Sequence, residues 1–280
     1  MSYIIAIDMD GTLLNDEKRI SEENKKAIMN AVNIGHTVVI ATGRSYLSAK
    51  DMLEEEGLFL PIIANNGATF FHNNQPVWKH VLPKSNVKEI LGIASQLRAN
   101  IMISTIDKVY LNSNTSSSDL MYSCKEEEQY YEQQKRLYNI LHKKPDIYGV
   151  FDDYRGFLLE DFETLKILVS SYYQEDLEEI DKNFSHFDDL FITKSSKDNR
   201  EIMVKGASKG EAILQLRKTL GYNEKEIVTI GDHFNDKSMF DVASISIAMG
   251  NAPIEIQEIC SLVTKTNKEH GVAYAIENYL

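Results

Sequence analysis

The 280-residue chain has only two cysteines, Cys124 and Cys260, far apart and outside any metal-ligand spacing. A disulfide framework is therefore not expected, and free thiols in a reducing compartment, the cytoplasm, are. Basic residues are also short: 30 Lys and Arg stand against 42 Asp and Glu, a net charge of −12. That balance argues against nucleic acid or an anionic membrane as a partner, because both are polyanions. No apolar run approaches the length of a transmembrane helix. The N-terminus lacks the basic flank, long apolar stretch and small-residue cleavage site of a signal peptide, so none is expected. Internal repeats and low-complexity tracts are missing too.

What is present is globular. Hydrophobic residues make up 43% and charged residues 26%, enough for one large domain or two smaller ones. The acid is clustered: residues 145–190 hold 13 Asp and Glu against Arg155, Lys166 and Lys182. Such a cluster reads as a solvated acidic surface.

The first eighty residues alternate between strand and helix. "YIIAI", "TVVIA" and "PIIAN" read as buried strands. "SEENKKAIMNAVNIG" reads as a helix capped by Ser21 and stopped by Gly35, with Ala27, Ile28, Ala31, Val32 and Ile34 on one face. A second helix spans Ser45 to Glu56. Apolar strands separated by helices indicate a parallel sheet covered on both faces. After Asn66 the texture changes. "ATFF" and "PVWKHVL" flank the polar "HNNQ" as a hairpin. Then come a helix over Val87 to Leu97, a strand pair (Asn100 to Thr105, Lys108 to Asn112) and a long polar helix around "CKEEEQYYEQQKRLYNIL". Alternation returns near Arg200, beginning with the strand "EIMV". The expected architecture is α/β: a Rossmann-like parallel-sheet core, residues 1–83 and 199–280, split by an inserted α+β domain, residues 84–198.

Four short boxes fall at strand ends or on the helix starts beside them, the edge where open α/β sheets bind ligands. They are "DMDGT" (8–12), "ATGR" (41–44), "SKGE" (208–211) and "GDHFND" (231–236). Asp8 and Asp232 each follow a strand, and two carboxylates converging there repel unless a cation lies between them. A hard divalent ion held by few carboxylates, with water and phosphate oxygens completing its shell, is the magnesium pattern. Gly11 lets backbone N–H groups approach an anion closely. Thr42 and Gly43 offer a hydroxyl and an N–H to a phosphate oxygen, although alone "ATGR" is also a simple strand-to-helix turn. Ser208 with Glu211 forms a capping box, which sets Lys209 at the first helical position. A lysine at that positive helix end is unfavourable unless an anion is near, the alternative being a solvated surface lysine. Asn235 and Asp236 open a helix as caps; their functional reading is to orient metal-bound water and hold Lys209.

In order and context the four boxes resemble the motifs of the haloacid dehalogenase superfamily. "NNGA" (65–68), "MGNA" (249–252) and "EHGVAYAI" (269–276) are similar to the Cof-type phosphatases of subfamily IIB. One departure is Glu269-His270 before Gly271, where that family more often has an acidic second residue. The resemblance implies that Asp8 is a nucleophile forming an aspartyl-phosphate. Asp10 would protonate the leaving alcohol and then deprotonate the hydrolytic water. Mg2+ would be held by Asp8, the Asp10 carbonyl and Asp232. Gly11, Thr42, Gly43, Lys209 and Asn235 would bind phosphate, with Asp236 behind them.

The second aspartate also discriminates within the superfamily: relatives that dehalogenate lack it, and ion-pumping ATPases carry threonine there. The expected activity is Mg2+-dependent hydrolysis of small phosphorylated metabolites, sugar phosphates among them. A phosphomutase would use the same residues. A phospho-accepting sensor on a similar frame would lack both the second aspartate and the long insertion. The insertion would act as a cap that excludes water and contacts the leaving group.

Overall fold

In the computed structural model, which describes residues 2–112, 139, 141, 143–222 and 225–280, the chain opens with β1 (Tyr3–Ile7), α1 (Glu22–Asn33), β2 (Thr37–Ala41), α2 (Tyr46–Glu55) and β3 (Ile62–Ala64). The helices start where side-chain oxygens satisfy free N–H groups. Ser21 Oγ accepts from Asn24 N–H and Ser45 Oγ from Ser48 N–H. Ala27, Ile28 and Ala31 are buried as the periodicity predicts, but Val32 is 37% and Ile34 75% exposed. Ile34 lies past the helix, which ends at Asn33, and Val32 sits in its last turn. A hairpin follows, β4 (Thr69–His72) and β5 (Gln75–Lys79). Its turn residues Asn73 and Asn74 both have positive φ, as the right-handed twist of a tight hairpin demands.

A second unit, Val81–Lys205, contains α3 (Lys84–Ala94), β6 (Asn100–Thr105), β7 (Val109–Asn112), β8 (Tyr148–Phe151), α4 (Tyr154–Leu159), β9 (Thr164–Ser170), α5 (Gln174–Phe184), β10 (Leu190–Thr193) and β11 (Asn199–Val204). Its sheet order is β10-β11-β9-β6-β7-β8. Alternate residues Ile101, Ile103, Ile167, Val169 and Ile202 form one core with Ile90 and Leu91 of α3 and Ile180 and Phe184 of α5. The polar helix expected over 124–141, with Cys124, lies outside the described residues except for 139 and 141.

One expectation is corrected here. The strand "EIMV", assigned to the core from the return of alternation, is β11 of the second sheet, paired antiparallel with β9 and β10. Its register sets Ile202 opposite Ile167, inside the second unit's core. A buried strand has the same composition in either sheet, so only its pairing assigns it. The unit accordingly runs from Val81 to Lys205 rather than over 84–198.

The chain then supplies α6 (Lys209–Thr219), β12 (Glu226–Gly231), α7 (Lys237–Asp241), β13 (Ile245–Ala248), α8 (Ile254–Gln257), β14 (Leu262–Val263) and α9 (Gly271–Tyr279). With the first segment they build an eight-stranded sheet, β14-β13-β12-β1-β2-β3-β4-β5. Its pairs from β14 to β3 are parallel, and the hairpin adds an antiparallel edge. Ile4, Ile5, Ala6 and Ile7 of β1 have no exposure, since a central parallel strand is covered on both faces. Strand order reverses between β1 and β12. That switch point opens a crevice at the strands' C-terminal ends, where three of the four boxes lie. Among the described residues no helix is long and apolar enough to cross a membrane.

Candidate active site

Asp8 continues β1 by one residue, its N–H donating to Ile230 O at 3.0 Å. The chain then turns, with Leu13 N–H bonded to Asp8 O and Leu14 N–H to Met9 O. Gly11 carries the turn at φ +81°, and a Cβ there would collide with the Asp232 carboxylate. Glycine is required on both counts. Thr12 Oγ1 donates to Asp232 Oδ1 at 2.9 Å, joining the first box to the fourth. From "MGNA", Asn251 Nδ2 donates to Gly11 O at 2.8 Å. Asn267 N–H donates to Asn251 Oδ1 and its Nδ2 to Leu14 O, both at 2.9 Å. These contacts of Asn251 and Asn267 brace the Asp8 loop; Asn251 lies in a box singled out in the sequence, whereas Asn267 lies in none.

Ser208 Oγ accepts from Glu211 N–H, so Lys209 is the first residue of α6, as the capping box predicts. Lys209 is wholly buried, not solvated. Its Nζ donates to Asp8 Oδ1 at 2.5 Å and to Asp236 Oδ1 at 2.6 Å. Burial alone would lower its pKa, but the Asp236 and Asp8 charges hold it raised. Asp236 Oδ2 accepts from the Asp232 and His233 N–H groups at 2.9 and 3.0 Å. Both Asp236 oxygens are thus engaged, one with Lys209 and one with the turn it caps (a 3-10 turn, Phe234–Asp236).

The carboxylates are crowded. Ligand oxygens of Asp8, Asp232 and Asp236 lie within 4.8 Å of one another. Burial, then the charges of Asp236 and Asp232, push Asp8 well above the usual carboxylate range despite Lys209. Burial and the Asp236 charge push Asp232 up to about 7. Two acids resisting ionisation this strongly fit a site for a cation, which would remove the repulsion. With Asp236 occupied, Asp8 and Asp232 are the side chains of this cluster left, among the described residues, to hold it. Oxygen-only donors suit a hard divalent ion.

Thr42 follows β2, almost fully buried, and its Oγ1 accepts from Arg44 N–H at 3.1 Å. Gly43 lies half-buried in the bend beside it. Asn66, with φ +54°, bonds its N–H to Thr42 O and accepts from Asn235 Nδ2 at 3.4 Å. The fourth box and "NNGA" thereby meet.

Asp10 is placed differently from Asp8. Its half-buried carboxylate takes Arg44 Nε on Oδ2 at 2.6 Å and Arg44 Nη2 on Oδ1 at 2.8 Å. Lys18 Nζ adds a third contact, to Oδ1 at 2.8 Å. Burial alone would raise the Asp10 pKa, but Arg44 first and then Lys18 hold it well below the usual range. Neither cation was assigned a role from sequence. Arg44 ends the second box and could have been suspected; Lys18 sits in no motif.

A family model for haloacid dehalogenase-like hydrolases matches residues 5–276. The chain is 34% identical over 290 residues to 5-amino-6-(5-phospho-D-ribitylamino)uracil phosphatase YwtE of Bacillus subtilis, covering 99% of this chain and 97% of that one. It is 30% identical over 293 residues to phosphatase YwpJ of the same organism, covering 99% of both. A solved structure of a haloacid dehalogenase-like hydrolase from B. subtilis matches with a TM-score of 0.86 at 28% identity, again over 99% of both chains. By its fold, its strand-end carboxylates and this match along nearly its whole length, the chain belongs to the haloacid dehalogenase-like hydrolase family.

Proposed function

We propose that this phosphatase requires Mg2+ and hydrolyses small phosphorylated metabolites, sugar phosphates among them, through an aspartyl-phosphate on Asp8. The observation that carries the reading is the buried Asp8 carboxylate, with one oxygen on Lys209 and Asp232 close enough to share a cation with it. The name of the YwtE relative specifies a phosphate on a ribityl chain, which supports a polyol or sugar monophosphate here.

Asp8 attacks phosphorus, forming an O–P bond while the P–O bond to the alcohol breaks. The departing oxygen keeps the bonding electron pair and takes a proton from Asp10. Negative charge on the bound phosphoryl group opposes Arg44 and Lys18 and favours the protonated Asp10 carboxyl. Water then attacks phosphorus, Asp10 recovers a proton from it, and the Asp8–phosphate bond breaks to give inorganic phosphate. Lys209 and Thr42, with the N–H groups at Gly11 and Gly43 and the Asn235 amide, bind and orient the phosphoryl oxygens. Asp8, the Asp10 carbonyl and Asp232 would hold Mg2+, which when bound supplies neutralising charge at the phosphoryl oxygens. Asp236 fixes Lys209. The low cysteine count and the acidic net charge support a cytoplasmic enzyme acting on small molecules rather than nucleic acid.

The test is phosphate release from p-nitrophenyl phosphate and a panel of sugar phosphates, with and without Mg2+, by wild type and Asp8→Asn. Activity is expected only for wild type with the metal. Full turnover by Asp8→Asn would remove Asp8 as the nucleophile.

A further inference from the structure

We propose that Lys18 is a positioning residue for Asp10, holding its carboxyl so that one oxygen, Oδ2, serves the leaving group. Each carboxyl oxygen has two in-plane lone pairs. On Asp10, Oδ1 receives Lys18 Nζ and Arg44 Nη2, both at 2.8 Å, and is filled. Among the described residues, Oδ2 receives only Arg44 Nε, at 2.6 Å. One lone pair on Oδ2 is left to carry a proton. Without Lys18 the two oxygens become equivalent in donor count, and the carboxyl can roll on the Arg44 fork.

The segment carrying Lys18 is built to aim it. Asn15 Oδ1 accepts from the N–H groups of Glu17 and Arg19, both at 3.0 Å. Asn15 N–H donates to Arg19 O, and Lys18 N–H to Asn15 O, again at 3.0 Å. Leu14 and Ile20, bridged to each other, anchor both ends in the core. Outside the turn, Arg19 pairs with Glu56 and Asp16 with Lys268. Lys18 itself has φ +59°, an unfavourable backbone for a residue with a side chain. That conformation stays in place because the surrounding bonds over-determine it. Its amine is the tip of a rigid hairpin, set against the one acid proposed to move a proton.

The inference rests on the proposed aspartyl-phosphate reaction, and its test separates the two. An alkyl phosphate needs a proton on its departing oxygen, whereas p-nitrophenolate leaves without one. kcat and KM are measured for both substrates with wild type, Lys18→Met and Lys18→Arg. General-acid catalysis is worth about 10²–10⁴ in rate, so misplacing the acid by loss of one contact is expected to cost about tenfold of it. The ratio of alkyl to aryl kcat/KM, which runs only to departure of the leaving group and leaves out the shared hydrolysis of the aspartyl-phosphate, should fall by that factor in Lys18→Met, on both sides of neutral pH. Lys18→Arg should restore it. An unchanged ratio, whether both rates fall together or neither does, overturns the positioning role, as does a fall confined to one side of neutrality. Wild type inactive on both substrates overturns the phosphatase mechanism itself, and this inference with it.

Discussion

Lys209 Nζ and Asp8 Oδ1 lie 2.5 Å apart although 201 residues separate them in sequence. The lysine side chain has no exposure and the aspartate 7%. A lysine this buried is tolerable only beside carboxylates, because its charge would otherwise bear its full desolvation cost.

Replacing Lys209 by Met should therefore do more than abolish activity. It strands Asp8 and Asp236 without a counter-ion, and breaking such a buried pair costs about 3–5 kcal/mol. Adding Asp236→Asn should recover part of the loss, since an asparagine oxygen can still accept from the Asp232 and His233 N–H groups. Urea unfolding of the two variants checks this. A single variant as stable as wild type would show that the buried lysine contributes nothing net.

Gly11→Ala tests the coupling between the first and fourth boxes. The positive φ alone costs about 1–2 kcal/mol for a residue with a Cβ. The methyl also displaces the Asp232 carboxylate from Thr12. Disturbing the groups around a metal ligand weakens binding by about 10–100-fold. The Mg2+ concentration giving half-maximal phosphate release should rise by that order, and an unaltered Mg2+ dependence would contradict the geometry.

Metal-free protein should lose stability as the pH rises. Asp232 is pushed up to about 7 from an ordinary 3.8, and Asp8 is raised as well. A carboxyl that binds its proton more tightly when folded stabilises the fold below its unfolded pKa. That contribution is lost as the pH climbs through the folded one. The Tm in chelator should fall between those two values. Mg2+, by neutralising the ionised pair, should raise Tm more above neutrality than in weak acid. Asp232→Asn should flatten both trends; differential scanning calorimetry reads all three.

Much of the frame was legible because it depends on local chemistry. Continuous apolar runs marked β1 and β2 as buried strands, and Ser21 and Ser208 cap their helices as their positions in sequence suggested, whereas Ser45, read as the first helical residue, is the cap of α2. A capping box sets the helical phase of its neighbours, so Lys209 at the helix start could be read from "SKGE" alone. The strand "EIMV" could not be assigned this way. Its composition says that it is buried, while the partner that buries it is a matter of pairing across the second sheet.

The division is clearest at Asp8 and Asp10. By itself the sequence determined that two aspartates follow a buried strand and that a glycine comes directly after them. Tertiary structure alone decided their different states. Asp8 is buried with Lys209 and crowded by Asp232 and Asp236, so it resists ionisation. Asp10, two residues on and half-exposed, meets Arg44 and Lys18 and is held ionised. A motif records which groups are present. Their charge states depend on burial and on the sum of all nearby charges, and that sum runs over residues distant in sequence that only the fold brings together.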